Sequence, residues 1–285
     1  MGVAEESAAQ AADALSRLHP RAFFERLLSQ GVRPDGRSML EPRPRLRQPG
    51  WLAADAAISA GNEALDNDLA TPDASSSVRM GGTWVVCGAR VLVGAPLSTR
   101  PGEGWVSVTV HGLDAAQAEV SGELRRLMQQ MVDLETLSLV ENTECMVICV
   151  DVCVLADDGG ARDAAVEALT VALKDLKLPQ LVKEADETGV EQYVVVEDTD
   201  GQRHGENVQL CMDPVAHTFG LFRAESQSKI QLVRDPTLHE QGLLDGIVHV
   251  VVDKTSQRTL HILKPDGIAL PSSVLFRILD LALEN

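Results

Sequence analysis

Aromatic side chains make up 3% of this 285-residue chain, with a single tyrosine. A protein that grips single strands by stacking bases on ring faces needs more of them. Basic residues are also scarce: 25 Lys and Arg stand against 42 Asp and Glu, a formal net charge of -17. Phosphate affinity depends on clustered Lys and Arg that release counterions, so the free chain is expected to bind nucleic acid poorly. Any contact with RNA would be local, or made within something larger. No apolar run approaches the roughly 18 to 20 residues of a membrane span. The opening MGVAEESAAQAADALSRL is acidic and Ala-rich and lacks the basic and apolar regions of a secretory signal. Five cysteines, an odd count, imply no disulfide framework, and a reducing compartment is expected, cytosol or nucleus. Phosphate-loop, nucleophile-elbow and H-E-x-x-H motifs are missing, and the one G-x-G (Gly102, Gly104) lacks the rest of a dinucleotide fingerprint.

Hydrophobic residues at 45% and charged residues at 24% suffice for a buried core, in one large domain or two small ones. An Ala-rich helix is expected over 3–18. A second spans 20–30, with Phe23, Phe24, Leu27 and Leu28 on one stripe, Pro20 in its first turn and Gly31 to close it. Arg33-Pro-Asp-Gly-Arg37 reads as a turn. Around it, Arg33, Arg37, Arg43, Arg45 and Arg47 form a basic island within 31–50, either a solvated strand edge or a contact with RNA or an acidic partner. The acidic stretch 61–76 reads as a surface loop.

A short strand ending at Met80, a turn at Gly81-Gly82 and a long strand through TWVVCGARVLVGAP follow, then an alternating strand at 105–111. Residues 113–133 read as a helix with Leu124, Leu127, Met128 and Met131 as its apolar stripe. The second half reads as a strand at 145–155, a turn at Asp157–Gly160 and a helix at 162–176. Strands at 191–197, 207–212, 216–223 and 229–234 come next, then an Asp235-Pro236 turn, a hairpin of 246–253 with 258–263, and a last helix starting at Ser272 and Ser273. Strands interleaved with helices imply an α/β or α+β fold, with sheets and helices packed on them.

Cys145, Cys149 and Cys153 share one face of a strand; metal sites use other spacings, so these read as core cysteines. His249 and His261 alternate within strands and read as surface or packing residues. Asp151, Asp157 and Asp158 gather beside Gly159-Gly160 and Arg162. A Gly-Gly pair feeding a helix N-terminus can seat an anion on free backbone N–H groups, with Arg162 assisting; it can equally be a tight turn with acids capping the helix.

The run LHPRAFFERLLSQGVRPDGR, from Leu18 to Arg37, resembles the opening of the RNase PH-like ring subunits of the eukaryotic RNA exosome. MGGTWVVCGARVLVGAP resembles the family's paired strands, and DVCVLADDGGARDAAVEALTVALKDLKLP its strand, Asp-Gly turn, helix and Leu-Pro block. Asp235-Pro236-Thr237 with Glu240 resembles the turn of its non-catalytic branch. The resemblance spans residues 18–285 and implies an RNase PH-like fold: two mixed-sheet halves with helices packed on them, about 32–178 and 179–285, after an N-terminal helical extension at 1–31. It further implies a hexameric ring of RNase PH-like subunits under RNA-binding cap subunits, RNA threading the channel to a separate nuclease, and work in RNA processing and degradation, ribosomal RNA included. The implied location is nucleus, with nucleolus, and cytoplasm.

Active members hold phosphate with Gly-Thr-Arg at a helix start; here those positions read Gly160, Ala161 and Arg162. They also carry an acidic run, Asp-x-x-Tyr-x-Glu-Asp; the matching stretch, GENVQLC at 205–211, offers Glu206 alone. The resemblance therefore implies a subunit that is not an enzyme, with no catalytic residues, metal or cofactor, and Gly160 and Arg162 as the vestige of an anion site. Arg100, in a proline-bounded loop, and Arg125 and Arg126, on a helix that bears RNA-binding arginines in active members, are the candidate RNA contacts. The family's basic channel loop is short here, HGLDAAQAEV, without Lys or Arg. An active phosphate-dependent exoribonuclease, or an acidic α/β scaffold unrelated to RNA, are the alternatives.

Overall fold

The computed structural model describes residues 15, 17–50, 72–185, 191–195, 205–224 and 229–284. The expected helix at 3–18 lies almost entirely outside these residues, as do 61–71 of the expected acidic loop. Of that loop, 74–76 belong to a strand instead, because Ala74 and Ser76 face the core on alternate positions.

Two antiparallel-rich sheets carry the fold. The first has the strand order β1-β2-β3-β6-β4: β1 is Arg45–Pro49, β2 Ala74–Met80, β3 Thr83–Gly94, β4 Trp105–His111 and β6 Glu144–Ala156. A short β5, Ser138–Val140, also pairs with β6, and β4 joins β6 in parallel. The second sheet has the order β12-β11-β13-β14, built from β11 Pro214–Arg223, β12 Ile230–Arg234, β13 Gly246–Asp253 and β14 Arg258–Leu263. Short ladders join β7, Lys177–Pro179, to β10, Gly205–Asn207, and β8, Leu181–Ala185, to β9, Glu191–Val195. The expected strand at 207–212 is thus only the end of β10: beyond it, Val208 and Leu210 turn inward along irregular backbone whose N–H groups reach Leu176 and Met131.

The element order follows from patterning. In β3, Val85, Cys87 and Ala89 face inward; in β6, Met146, Ile148, Val150 and Val152 do so. Between the sheets runs α3, Ala161–Asp175 in our numbering of helices, packed on β2, β3 and β11. Ala164, Ala165, Ala168 and Ala172 let backbone approach closely on several sides, and the helix is buried nearly all round. Helix α1, Pro20–Ser29, lays Phe24 edge-on against Phe222 at 5.4 Å; α2, Gln117–Met131, covers β4; α5, Ser272–Leu283, covers β13. The one-turn α4, Leu238–Gln241, starts at Thr237.

Two expectations are corrected. The core-cysteine expectation holds for Cys145, which is fully buried, but Cys149 and Cys153, on the same face of β6, are only partly buried. A period of two places residues on one face without saying which face is inward, and the even positions of β6 carry the larger aliphatic set. Burial, then the Asp151 charge, raise the Cys149 and Cys153 thiols above their usual value, so neither is an activated nucleophile.

Much of the basic island is an internal clamp, with Arg33, Arg37 and Arg43 turned inward, while Arg45 and Arg47 stand on the edge strand β1, where Arg47 is exposed. Arg33 is buried and forks onto the Glu240 carboxylate, with Nη1 donating to the Arg234 carbonyl at 2.7 Å and Nη2 to that of Asp235 at 3.0 Å. Arg43 donates from Nε and Nη2 to the Asp235 carboxylate, at 3.0 and 2.7 Å, and from Nη2 to the Gly159 carbonyl at 2.7 Å. Arg37 adds a contact to Asp235 at 3.3 Å, and Arg45 and Arg47 share Glu167. Glu240 also closes a capping box with Thr237. The two quoted sequence motifs, Arg-Pro-Asp-Gly-Arg and Asp-Pro-Thr with Glu240, therefore meet each other. Burial alone would raise the Asp235 pKa; the hydrogen bonds and charge of Arg43, with Arg37 behind them, hold it below the usual value instead.

Removing one partner strands the other charge out of water, at a cost of about 3–5 kcal/mol. Glu240→Ala and Arg33→Ala are each expected to lower unfolding stability by that order, and the double variant by less than their sum, because the same pair is lost. Urea unfolding of the three variants checks this; additive losses would show that the two residues act separately.

Candidate functional site

Gly159 and Gly160 both take left-handed backbone, φ +85° and +76°, and lead into α3. A Cβ at Gly159 would lie 2.5 Å from the Pro236 carbonyl oxygen, so a side chain cannot fit. At Gly160 it would lie 3.1 Å from Arg43 Nη2 and 3.3 Å from Asp235 Oδ1. The space beside this glycine thus already holds a carboxylate with its own arginine. A second carboxylate, Asp163, sits buried in the first turn of α3, where the helix dipole favours negative charge.

Arg162 turns away from this end to α2. Its Nη1 donates to Glu123 Oε2 at 2.7 Å, and its Nη2 lies 3.1 Å from Glu119 Oε1. Glu119 and Glu123 share one helix face by their spacing of four. Beside them opens a cleft of about 190 Å³ between α2 and the β13–β14 hairpin, lined by Glu123, Arg126, Gln130, Val251 and His261. His261 Nε2 stands 3.9 Å from Glu123 Oε1.

Behind the cleft, Thr218 Oγ1 donates to Asp163 Oδ1 at 2.8 Å and lies 2.9 Å from His249 Nδ1. With its proton given to Asp163, the hydroxyl must accept from His249, which fixes the imidazole proton on Nδ1. Burial, then Arg162 and His261, push the His249 pKa down to about 4. A base that weak is poorly matched to proton abstraction near neutral pH. Asp163 is displaced the other way: burial pushes it up to about 6, against the charge of Arg45 and the Thr218 hydrogen bond. Among the described residues, no group of three or more His, Cys, Asp and Glu side chains is placed to hold a metal ion.

The candidates from sequence do not all converge. Arg126 lines the cleft, and Arg162 reaches it through Glu123. Arg125 is exposed on α2, next to Arg126 but not in the lining. Arg100 is exposed in its loop, with Glu103 Oε2 at 3.1 Å. Gly160 faces the Arg43–Asp235 pair, and Glu206 is exposed on β10. Glu123 and His261 were not legible as site residues: one reads as a solvated helix acid and the other as strand packing until α2 and the hairpin are brought together.

Residues 65–179 match the RNase PH family model, described as 3' exoribonuclease family, domain 1. The chain is similar to the exosome complex component rrp43 of Schizosaccharomyces pombe, 26% identical over 93% of this chain and 92% of that one. It is 30% identical to the exosome complex component Rrp42 of Pyrobaculum aerophilum, over 79% of this chain and 76% of the relative. Among solved structures, an Archaeoglobus fulgidus exosome with RNA bound to the active site aligns with a TM-score of 0.69 and 21% identity, covering 93% of both chains. That likeness carries the fold.

The Asp163 shift has a sign that can be tested. Its folded pKa, about 6, lies above the unfolded value, so the folded state holds the proton more tightly. The contribution to stability is fully present below about pH 4 and is lost as pH rises through 6, about 3 kcal/mol in all at 1.36 kcal/mol per unit. Asp163→Asn should therefore gain on the wild type between pH 4 and 7, read by urea unfolding across that range. A constant difference would mean that Asp163 is ionised throughout.

Proposed function

The chain belongs to the RNase PH family of 3' exoribonucleases, and from that premise we propose that it is a non-catalytic subunit of an exosome core ring. In this reading it forms interface and channel wall with other RNase PH-like subunits beneath RNA-binding cap subunits, and RNA passes through the assembled channel to a separate nuclease. Its place is the nucleus, nucleolus included, and the cytoplasm.

The observation that carries the reading is the state of the anion seat. Phosphorolysis needs a bound phosphate and an acid or metal at the leaving oxygen. Arg162 is matched by Glu119 and Glu123, Gly160 abuts Asp235, and the 205–211 stretch supplies one exposed carboxylate, Glu206. Two carboxylates on the remaining arginine repel the ion that an active site would hold. Supporting a ring role, Leu46, Leu92 and Leu155 lie exposed on the outer face of the first sheet, and Phe276 on α5. Exposed apolar side chains on such faces suit burial between subunits.

The pure chain, given magnesium, orthophosphate and single-stranded RNA, is expected to release no nucleoside diphosphate above background. Sustained release that Arg162→Ala abolishes would reverse the reading in favour of an active exoribonuclease.

Arg100, Arg125 and Arg126 are proposed as the bases that touch RNA in the channel. In a reconstituted ring, Arg100→Glu and the pair Arg125→Glu with Arg126→Glu should weaken RNA protection and flatten its salt dependence. Protection unchanged at every salt would leave this subunit a purely structural part of the ring.

A further inference from the structure

A cluster of basic side chains on this acidic molecule lies apart from the α2 cleft. Between β1 and the second sheet is a cavity of about 280 Å³, lined among others by Arg43, Arg45, Arg47, His217, Arg234 and Lys254. Five of these six are cations. The carboxylates paired with them are Asp235 and, at 3.5 Å, Asp158 on Arg43, and Glu167 on Arg45 and Arg47. Asp235 is further shared with Arg37. Arg234 and Lys254 have no ion-pair partner among the described residues; Asp163, Asp235 and Glu284 reach Arg234 only through space.

Two donors inside this lining lack an acceptor. Arg234 is 6% exposed and His217 4%. Arg234 Nη2 donates to His217 Nδ1 at 3.1 Å, so that nitrogen is an acceptor and the neutral ring carries its proton on Nε2. Burial, then the charges of Arg45 and Arg234, push the His217 pKa down to about 3, so the ring is neutral. His217 Nε2 and Arg234 Nε are both buried and without a hydrogen-bond partner. Such orphans are rare in folded proteins, and a water or an anion in the cavity would supply the missing acceptor.

We propose that this cavity is a binding site for a phosphoryl group. A tetrahedral dianion offers acceptors in several directions at once, which suits converging guanidinium, imidazole and ammonium donors better than a single carboxylate does. It answers the excess of cations over carboxylates in the lining. The volume lies just under the roughly 300–1,000 Å³ of ordinary small-molecule pockets, so the site takes a phosphate with little attached. Free orthophosphate and the terminal phosphate of a short RNA present the same chemistry. The site uses neither Arg162 nor the α2 cleft, and the proposal stands whether or not the ring assignment does.

The test uses the full chain. Sodium phosphate is titrated against sodium chloride at matched ionic strength, and the His217 side-chain NMR signal is followed, assigned by its loss in His217→Asn. Orthophosphate should shift that signal saturably, and Lys254→Glu, a change at an exposed position, should weaken binding at least tenfold. A short oligoribonucleotide with and without a 5′-phosphate is titrated in parallel. Saturation by orthophosphate alone assigns a free ion, and saturation only by the phosphorylated oligonucleotide assigns an RNA end; either supports the site. No shift beyond that of chloride with either probe, or equal binding by Lys254→Glu, overturns it.

Discussion

Arg33 and Glu240 are separated by 207 residues, and Arg43 and Asp235 by 192, yet both pairs close out of water within one network. Everything near the centre of the molecule is arranged around them. Arg43 reaches the Gly159 carbonyl as well as Asp235, so the turn that launches α3 from the first sheet is bolted to the turn that follows β12 in the second. Arg33 adds the carbonyls of Arg234 and Asp235, and Glu240 adds the capping box of α4. A buried ion pair is a modest stabiliser against well-packed apolar residues, but a mismatch in it is costly. Its value here is registration: α3 can lie between the sheets only in the position that satisfies all of these donors.

The same network has a consequence for chemistry. A helix N-terminus preceded by two glycines is a ready place for an anion. In this chain the protein has filled the place with its own carboxylates, Asp235 beside Gly160 and Asp163 in the first turn, while Glu119 and Glu123 hold the arginine that would have helped. The groups that remain around the α2 cleft, a histidine depressed to about pKa 4 and a carboxyl raised to about 6, are products of burial. They form a buried polar group beside the cleft.

Net charge and local field part company here. At -17, the molecule repels polyanions at a distance. Yet Arg43, Arg45, Arg47, Arg234 and Lys254 crowd one small cavity between β1 and the second sheet. Screening over about 10 Å at ordinary salt makes the far surface nearly irrelevant to what that cavity experiences. A short-range anion site can therefore exist on a protein whose total charge argues against binding nucleic acid broadly.

How much of this was legible in the sequence depends on how local each feature is. The hairpin at 246–253 and 258–263, helices α1 and α5, and the long β3 and β6 were readable because apolar period and turn residues act over a few positions. The inherited pattern of Gly-Gly, Asp-Pro-Thr and Arg-Pro-Asp-Gly-Arg marked the family and the turns. Strand β1 hid its role because its arginines break the apolar alternation, and the odd face of β6 could not be told from the even one. What an arginine pairs with is decided by which distant backbone arrives beside it. Arg33, Glu123 and His217 carry the same codes that solvated side chains carry, and only closure of the chain took them out of water: Arg33 onto Glu240 across 207 residues, Glu123 onto Arg162 across 39, and His217 onto Arg234 across 17, with its Nε2 left without a partner.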